Sequence, residues 1–579
     1  MSSYELAMTL GSALFFMLLV AWISYRQTRG TATTQAGYFL AGRGLSAVFI
    51  AGSLLLTNLS AEQLIGLNGS AYGHNMSSMG WEVTAALATI CMAFVFLPRY
   101  LAGAFTTLPE FLNQRFDGDV QRLSVLLFLL GYGLVTIPSV LYSGSIAVLQ
   151  LFDLPLLLDV SYGTALAVTI VAIGLIGALY AVFGGLRAVA VSDTLNGVGL
   201  LVIGVAVPWL GLSALGNGSP EHGLVRLLSE HTEKLNAIGA ATDPTPFGTL
   251  FTGMIFANLF YWCTNQYVIQ RTLGAKNLAE GQKGVLLSGY FKVLVPFMMM
   301  LPGVIAFHLY GGSQSVGGLA PIDLAYPRLI RDLLPGYAMG FFLAVLLGAV
   351  FSSFNSLLNS AATLFCIDIY LPYKAARGAS PLDDGQVVTL ARRASVVIAL
   401  LSFIVAPMLQ YAPEGLWQVI RVFTGFYNIP MIAIVLVGLF SQRVPAFAAK
   451  WVIVFHIVAY GLLQFVFKQQ VPVHFLHLYA ILFCLEVAMM LFAGYRWPVH
   501  GKAHFEPLEK VDMQPWKFAI PCAATLMSCV VGLYLTLSPI GLVDGISASY
   551  TPLMATLIAV NIIVWWRFLR APANVAESV

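Results

Sequence analysis

The chain has 579 residues, of which 59% are hydrophobic and only 9% carry a charge. A soluble globular protein has about 25% charged residues, so this composition excludes that class and indicates an integral membrane protein. The formal net charge is only +3 and no basic block is present, so nothing indicates nucleic-acid binding.

Apolar segments long enough to cross a bilayer recur along the whole chain. At about 20 apolar residues per span, they predict an all-α membrane protein with about 15 spanning helices. The predicted helices are 5–25, 43–72, 78–102, 121–150, 162–183, 188–214, 248–266, 283–310, 336–371, 392–410, 415–440, 444–467, 474–494, 516–537 and 547–568.

Most of the 29 Lys and Arg residues fall on one side of this map when the N-terminus is placed outside. Cytoplasmic loops are enriched in Lys and Arg, and an error of one helix would remove the asymmetry. The sequence therefore predicts a multi-pass plasma-membrane protein (bacterial inner membrane) with an outer N-terminus and a cytoplasmic C-terminus.

Polar side chains interrupt the apolar run between Gly44 and Tyr72. They lie in Ser53–Gly66 and are Thr57, Asn58, Ser60, Glu62 and Gln63. A polar group in hydrocarbon costs several kcal/mol unless it finds partners, so we expect a broken helix whose freed backbone lines a wet cavity. The flanking apolar segments are too long for the alternative, an amphipathic helix facing water. The segment is predicted to form half of a transport site.

A second polar interruption lies in Thr252–Gln266, around Asn258, and its helix starts five helices after the first interrupted one. Because five is odd, two similar five-helix units would be inverted relative to each other, as in many secondary transporters. The predicted division is an extra N-terminal helix and inner loop (1–42), a first repeat (43–214), an outer loop (215–247), a second repeat (248–440) and peripheral C-terminal helices (441–579).

Further ionisable and hydroxyl residues lie inside the predicted helices. They are Glu82, Asp193, Lys292, Arg421 and the pair Ser352 and Ser353. An ionisable group within a span is a functional hypothesis by default, whereas a lone serine usually bonds back to its own helix. Glu486 lies outside the ten-helix core, where a structural or peripheral role is expected.

Several longer motifs resemble one transporter family. They are Tyr38–Arg43, Asn58–Gln63, Phe183–Ala188, Asn265–Leu273, Lys292–Phe297, and Ser352 and Ser353 with Leu358–Ser360. On these motifs the chain resembles the sodium/solute symporter family, and most closely its bacterial sodium–sugar symporters of the sodium–galactose type. The resemblance runs from about residue 37 to about residue 450. It implies a leucine-transporter-type inverted repeat of five plus five helices, with one extra N-terminal helix and about four C-terminal ones.

The resemblance implies a sugar site in which polar groups lie beside aromatic rings, a mixture that suits hydroxyl edges and apolar sugar faces. Its substrate-binding positions are Asn58, Gln63, Glu82, Asn258, Tyr261, Trp262, Lys292 and Arg421. Its gate positions are Leu67, Trp81, Trp417 and Tyr261.

The resemblance also implies a sodium site, because a hard cation prefers oxygen ligands and an unwound helix exposes carbonyls. The implied ligands are the carbonyls of Leu56, Leu59 and Ala349 and the hydroxyls of Ser352 and Ser353. Asp193 and Ser356 match a second sodium site of some members. Asp193 as a structural cap is the alternative.

Two positions depart from the sugar symporters. Arg421 stands where glutamine is typical, and Ala85 stands where serine is usual. Arg421 either pairs with Glu82 or binds a carboxylate or sulfonate of the substrate, since a guanidinium suits planar anions.

The predicted function is sodium-coupled symport of a sugar, a hexose such as galactose or glucose, into the cell by alternating access. Its predicted partners are the sugar, sodium and the lipid bilayer. The alternative is a sodium symporter for an anionic sugar or another small organic solute, with Arg421 on the anionic group. A membrane sensor would carry a soluble output domain, and an enzyme for lipid-linked sugars would present catalytic carboxylates at a membrane face. The sequence has neither pattern.

Overall fold

We describe a computed structural model of the chain. It describes residues 3–29, 34–103, 105–312, 318–319, 322–378, 380–411, 416–471, 473–499 and 511–570, without the side chains of residues 3, 180–185, 323, 411 and 416–419. Within these ranges the regular structure is helical, and one isolated β-bridge joins Leu45 to Ala275.

The main helices are numbered α1 to α16 in chain order. They are α1 Ser3–Thr28, α2 Ala47–Asn58, α3 Ala61–Gly73, α4 Met76–Ala102, α5 Gly118–Phe152, α6 Tyr162–Leu215, α7 Gly253–Cys263, α8 Gln266–Leu273, α9 Leu278–Tyr310, α10 Gly336–Ala376, α11 Asp384–Gln410, α12 Leu416–Phe440, α13 Ala446–Val466, α14 Phe475–Arg496, α15 Ala519–Thr536 and α16 Tyr550–Arg570. Shorter helices at Gln35–Leu40, Leu108–Arg115, Leu154–Leu158, Pro220–Ser229 and Ala325–Leu333 lie in the connections.

The described residues contain 13 helical segments that are long and apolar enough to span a membrane, or 14 when α2 and α3 count as one bent span. The remaining predicted span corresponds to α7 with α8, of which α7 is a shorter apolar helix. The predicted spans 162–183 and 188–214 are joined without a loop, since the backbone of α6 stays helical from Tyr162 to Leu215. Its two halves, Tyr162–Leu179 and Leu186–Leu215, are both long enough to span.

Both predicted helix interruptions are confirmed. The first lies between α2 and α3, whose axes meet at a bend of 59°. The second lies at Thr264 and Asn265, between α7 and α8. The first interrupted helix, α2 with α3, opens a unit of five spans that ends with α6, which supplies two of them. The second, α7 with α8, opens a unit of five spans that ends with α12. The breaks therefore occupy corresponding places in the two units.

The interrupted helices lie at the centre of the bundle. α2 packs between α6 and α9, and α10 packs along α6 and α1. In α10, 89% of the most apolar window is buried inside the protein, whereas none of the corresponding window of α16 is buried. α13 and α14 cover α12, α15 covers α9, and α16 packs on α15. The repeat helices therefore form the core, and the additional helices form its periphery.

A lysine of the connection between α6 and α7 holds the end of α3. Lys234 Nζ donates to the carbonyls of Tyr72 at 3.0 Å and His74 at 2.8 Å, and it lies 4.1 Å from the ring centroid of Phe307. A cation is favourable at a helix C-terminus, where carbonyls lack helical donors. Burial lowers the pKa of Lys234 below its usual value, and nearby Glu233 offsets only part of that shift. The second half of the first interrupted helix, α3, is thus fixed at its C-terminal end.

A glycine permits the close approach of α9 to α3. A Cβ at Gly303 would lie 2.2 Å from the carbonyl oxygen of Asn68 and 3.1 Å from the backbone nitrogen of Tyr72. We expect Gly303→Ala to lower stability by about 1–3 kcal/mol, because overpacking against backbone forces the helices apart. The thermal midpoint of the detergent-solubilised protein measures this loss.

Gly11→Ala is the matched control, since a Cβ added at Gly11 in α1 meets no atom within 4 Å. Its midpoint should not fall. Equal losses in both variants would contradict the packing argument.

Candidate functional site

The break between α2 and α3 redirects backbone hydrogen bonds. Ser60 N donates to the carbonyl of Asn58 at 3.0 Å, and Gln63 N donates to that of Ser60 at 3.1 Å. In a continuous helix these amides would serve the carbonyls of Leu56 and Leu59, four residues earlier. At the break, the amides that would bond these two carbonyls in a continuous helix therefore bond other carbonyls instead. The carbonyls of Leu56 and Leu59 are those that the resemblance assigns to sodium.

Hydroxyl groups of α10 face this break. Ser353 Oγ donates to the Thr57 carbonyl at 3.1 Å, and Thr57 Oγ1 lies 3.5 Å from Ser352 Oγ and 3.3 Å from Ser356 Oγ. These groups are buried, as are the other predicted ligands Leu56, Leu59 and Ala349. The structure thus brings the α2 and α10 parts of the predicted sodium site together in an oxygen-rich environment. Thr57, which the sequence analysis gave no ligand role, joins the two helices.

A buried arginine lies between the two residues predicted for a second sodium site. Arg271 Nε donates to Ser53 Oγ at 2.7 Å, and its Nη2 donates to Ser356 Oγ and lies 4.0 Å from Asp193 Oδ2. Ser53 Oγ in turn donates to Asp193 Oδ2 at 2.5 Å. The cluster already contains a cation of the chain itself. A second sodium at Asp193 and Ser356 stays a prediction.

A cavity of about 100 Å³ adjoins the break, and Thr57 and Ser353 of the hydroxyl cluster are among its lining residues. One water molecule needs about 10–15 Å³ on this measure, so the cavity has room for several water molecules or a small solute. All predicted substrate-binding residues line it, namely Asn58, Gln63, Glu82, Asn258, Tyr261, Trp262, Lys292 and Arg421. Lining residues not predicted include Glu62, Thr424, Tyr427, Asn428 and Tyr479.

An ion pair fixes one wall of the cavity. Glu82 Oε2 pairs with Lys292 Nζ, and Glu82 Oε1 accepts a hydrogen bond from Gln63 Nε2 at 3.0 Å. Asn258 Nδ2 donates to Thr84 Oγ1 at 2.8 Å. A buried charge pair is tolerated only when its remaining polar positions are also bonded. The contacts among Gln63, Glu82 and Lys292 therefore fix the positions of α3, α4 and α9 relative to one another.

Aromatic rings and an arginine form another part of the lining. The guanidinium of Arg421 lies 4.3 Å from the ring centroid of Trp81, and Lys292 Nζ lies 5.6 Å from that of Trp262. Tyr261 meets Trp262 edge-on at 5.7 Å between centroids. Cations over ring faces are favourable, particularly when desolvated. Glu82 and Arg421 line the same cavity, so both roles considered for Arg421 stay available.

The predicted gate residues divide into three groups. Trp81 and Tyr261 line the cavity. Leu67 is buried in the hydrophobic core and is not among the lining residues. The side chain of Trp417 lies outside the described residues. Their action as gates stays a prediction.

Side-chain acceptors at the cavity lack partners. Asn58 Oδ1, Gln63 Oε1 and Asn428 Oδ1 are buried without a hydrogen bond from any described residue. A buried acceptor without a donor costs about 1–3 kcal/mol. These three oxygens are therefore available to accept hydrogen bonds from water or a solute in the cavity.

The chain is similar to transporters over nearly its full length. It is 44% identical to "Uncharacterized symporter YidK" of Escherichia coli (strain K12), over 96% of each chain. It is 31% identical to a sodium/glucose cotransporter of Vibrio parahaemolyticus, over 76% of this chain and 83% of that relative.

A solved structure shares the fold. The substrate-bound outward-open state of a Na⁺-coupled sialic acid symporter superposes with a TM-score of 0.71 at 20% identity, over 86% of this chain and 99% of that one. The fold is therefore the leucine-transporter type, with one helix before and four after the ten-helix core.

The sequence model of the Sodium:solute symporter family matches residues 38–455. The chain belongs to this family, and it is a multi-pass membrane transporter, not an enzyme, with sodium as its coupling ion.

Proposed function

We propose that the solute carried with sodium is a sugar, a hexose such as galactose or glucose, taken up across the plasma membrane by alternating access. The observation that supports this most directly is the cavity itself. Amides and the Glu82–Lys292 pair lie beside the rings of Trp81 and Tyr261. A pyranose offers hydroxyl groups at its edge and C–H groups on its faces, which match these two kinds of surface.

The charges around the cavity favour a neutral solute. Glu62, Glu82, Lys292 and Arg421 line it, two formally anionic and two formally cationic side chains. Binding a charged solute there would leave a net charge away from water, which costs several kcal/mol. A neutral solute leaves the balance intact.

The acceptors without partners favour a solute with many hydroxyl groups. The amide oxygens of Asn58, Gln63 and Asn428 need donors, and hydroxyl groups supply them. A carboxylate or sulfonate group has no hydrogen to donate to these oxygens. The similarity of the chain to a sodium/glucose cotransporter also supports a sugar as the solute.

We further propose that sodium binds between α2 and α10, on the carbonyls of Leu56, Leu59 and Ala349 and the hydroxyls of Ser352 and Ser353. An ion there would hold the 59° bend, while side chains just beyond the bend contact the solute. Inward movement of one sodium releases about 2.3 kcal/mol at about 100 mV, which corresponds to an accumulation of somewhat under two decades. The Lys and Arg distribution supports an outer N-terminus and an inner C-terminus.

Removing a hydroxyl of α10 should remove the sodium dependence. We expect Ser352→Ala and Ser353→Ala each to abolish the stimulation of uptake by sodium, because each takes an oxygen from the site facing the α2 break. Uptake into proteoliposomes with inward sodium or potassium gradients measures the ratio. Ser402→Ala is the control, since Ser402 Oγ only donates back to Ile398 at 2.9 Å in α11. Undiminished stimulation in both α10 variants would remove these residues from the site.

Removing a cavity amide should weaken solute binding. We expect Gln63→Ala and Asn258→Ala to weaken it by about 10- to 100-fold, because each removes an amide that lines the cavity and leaves a polar group of the bound solute unpaired, at about 1–3 kcal/mol. Titration of the purified protein in sodium measures the affinity. Asn561→Ala, an amide on α16 bonded to its own helix, should bind as the wild type does. Wild-type affinity in a cavity variant would exclude that residue.

The alternative solute is an anionic sugar or another small organic anion, and the position of Arg421 at the cavity supports it. We expect wild-type protein to take up neutral hexoses in preference to acidic sugars, and Arg421→Gln to keep that preference. An uptake panel of neutral and acidic sugars, with and without sodium, measures it. Preference for acidic sugars that Arg421→Gln abolishes would establish the alternative.

A further inference from the structure

A buried ion-pairing couple lies outside the cavity, in the peripheral helices. His456 of α13 and Glu486 of α14 are both fully buried, with His456 Nδ1 2.5 Å from Glu486 Oε1. Ionisable residues inside membrane spans are costly and pair with one another where they occur. Peripheral helices that only met lipid would gain nothing from such a couple.

The other ring nitrogen of His456 reaches a core helix. His456 Nε2 lies 3.0 Å from the carbonyl oxygen of Gly425 in α12. A carbonyl only accepts, so Nε2 carries a hydrogen. A proton must then lie between Nδ1 and Glu486 Oε1, on either atom. Glu486 therefore fixes the orientation of the imidazole and keeps its Nε2–H directed at α12.

Two tyrosines bond the same stretch of α12. Tyr460 of α13 donates to the Val422 carbonyl at 2.9 Å, and Tyr479 of α14 donates to the Arg421 carbonyl at 2.7 Å. We call His456, Tyr460, Tyr479 and Glu486 the α12 clamp. A carbonyl has two lone pairs, so it can accept such a bond in addition to its helical one.

A glycine makes the clamp sterically feasible. A Cβ at Gly425 would lie 2.4 Å from Tyr479 Oη and 2.8 Å from Tyr460 Oη. The ring of His456 stacks on that of Tyr460, with centroids 5.5 Å apart and planes 18° apart. The clamp is therefore a packed unit against α12.

The clamped stretch also carries one wall of the cavity. Ile420, Arg421, Thr424, Tyr427 and Asn428 line it. Pro430 follows in the same helix, and its missing N–H deprives the carbonyl four residues earlier of a helical donor, which weakens α12 there. The carbonyls bonded by the clamp and the residues of α12 that line the cavity all precede Pro430.

We propose that the α12 clamp positions the cavity-lining half of α12, so that the peripheral helices α13 and α14 help to determine solute affinity. Glu486 is a positioning residue, which acts through His456 and does not touch the solute. The effect on affinity rests on the proposed solute site, whereas the clamp itself does not.

The substitutions of Glu486 separate positioning from space filling. In Glu486→Gln the side-chain amide donates to Nδ1, so the imidazole keeps Nε2–H on Gly425. In Glu486→Leu the side chain has a similar volume but cannot bond His456 Nδ1, so nothing fixes the orientation of the imidazole ring. A merely space-filling role predicts equal behaviour of the two variants.

Hydrogen exchange of the full-length protein in nanodiscs tests the clamp. We expect Glu486→Leu to speed exchange in residues 416–429 by about tenfold or more relative to residues 431–440, and Glu486→Gln to match the wild type. Tyr460→Phe, which removes one oxygen only, should speed exchange by about two- to tenfold. Tyr290→Phe is the control, since its hydroxyl bonds the Cys522 carbonyl at 2.7 Å between α9 and α15, away from α12.

Unchanged exchange in both Glu486→Leu and Tyr460→Phe, or equal exchange in Glu486→Leu and Glu486→Gln, would overturn the clamp whatever the solute is. In sodium-driven uptake, Glu486→Leu should raise the half-saturating solute concentration by about tenfold, with Glu486→Gln unchanged. Altered exchange with unaltered affinity would overturn the link to the solute. Failure of the wild type to carry any sugar would overturn the proposed function and leave the exchange result standing.

Discussion

Backbone groups that leave a helix inside a membrane must find partners within the protein, and this constraint organises the whole bundle. At the α2–α3 break, the amides of Ser60 and Gln63 donate to nearby carbonyls, and the Thr57 carbonyl accepts a hydrogen bond from Ser353. The side chains at the same break, Asn58 and Gln63, line the cavity. One interruption therefore carries both the proposed cation ligands and the proposed solute ligands, and Thr57 and Ser353 also line the cavity. Any change in its geometry alters both, which is the physical requirement for coupling their transport.

Buried charge is the second constraint, and it is met differently at the two sides of the break. At the cavity, Glu82 is neutralised by Lys292 and bonded by Gln63. Behind α2, Arg271 supplies a permanent cation near Asp193 and bonds hydroxyls of both α2 and α10. Because such pairs cost several kcal/mol to break, they fix the relative positions of helices that lipid alone would not hold together.

The sequence was sufficient to predict what the bilayer penalises directly. Spans follow from hydropathy, and Asn58 and Asn258 reveal the interrupted helices because polar groups in lipid need an explanation. Thr57 was recognised as polar, but its contacts with α10 were not predicted. Arg271 and Tyr479 were missed because aromatic rings are ordinary in membrane helices, and an arginine near a predicted helix end is ordinary too. Their partners come from packing between segments far apart in the chain. The two halves of α6 were predicted as separate spans, because hydropathy marks the spans but does not show whether the backbone between them stays helical.

The additional helices attach to the core by the same kind of contact in both halves. α13 and α14 donate from His456, Tyr460 and Tyr479 to carbonyls of α12, the last helix of the second unit. In the first unit, Ser24 of α1 donates to the Ala188 carbonyl of α6 at 3.0 Å. Apolar contact adds little between helices in lipid, so hydrogen bonds to spare carbonyl lone pairs provide specific attachment. α1 also attaches to α10, where Thr9 Oγ1 donates to the Gly336 carbonyl at 3.0 Å. The contacts on α12 lie within about two to three turns before Pro430, so in the second unit the periphery holds the core close to the point where a helix bends most easily.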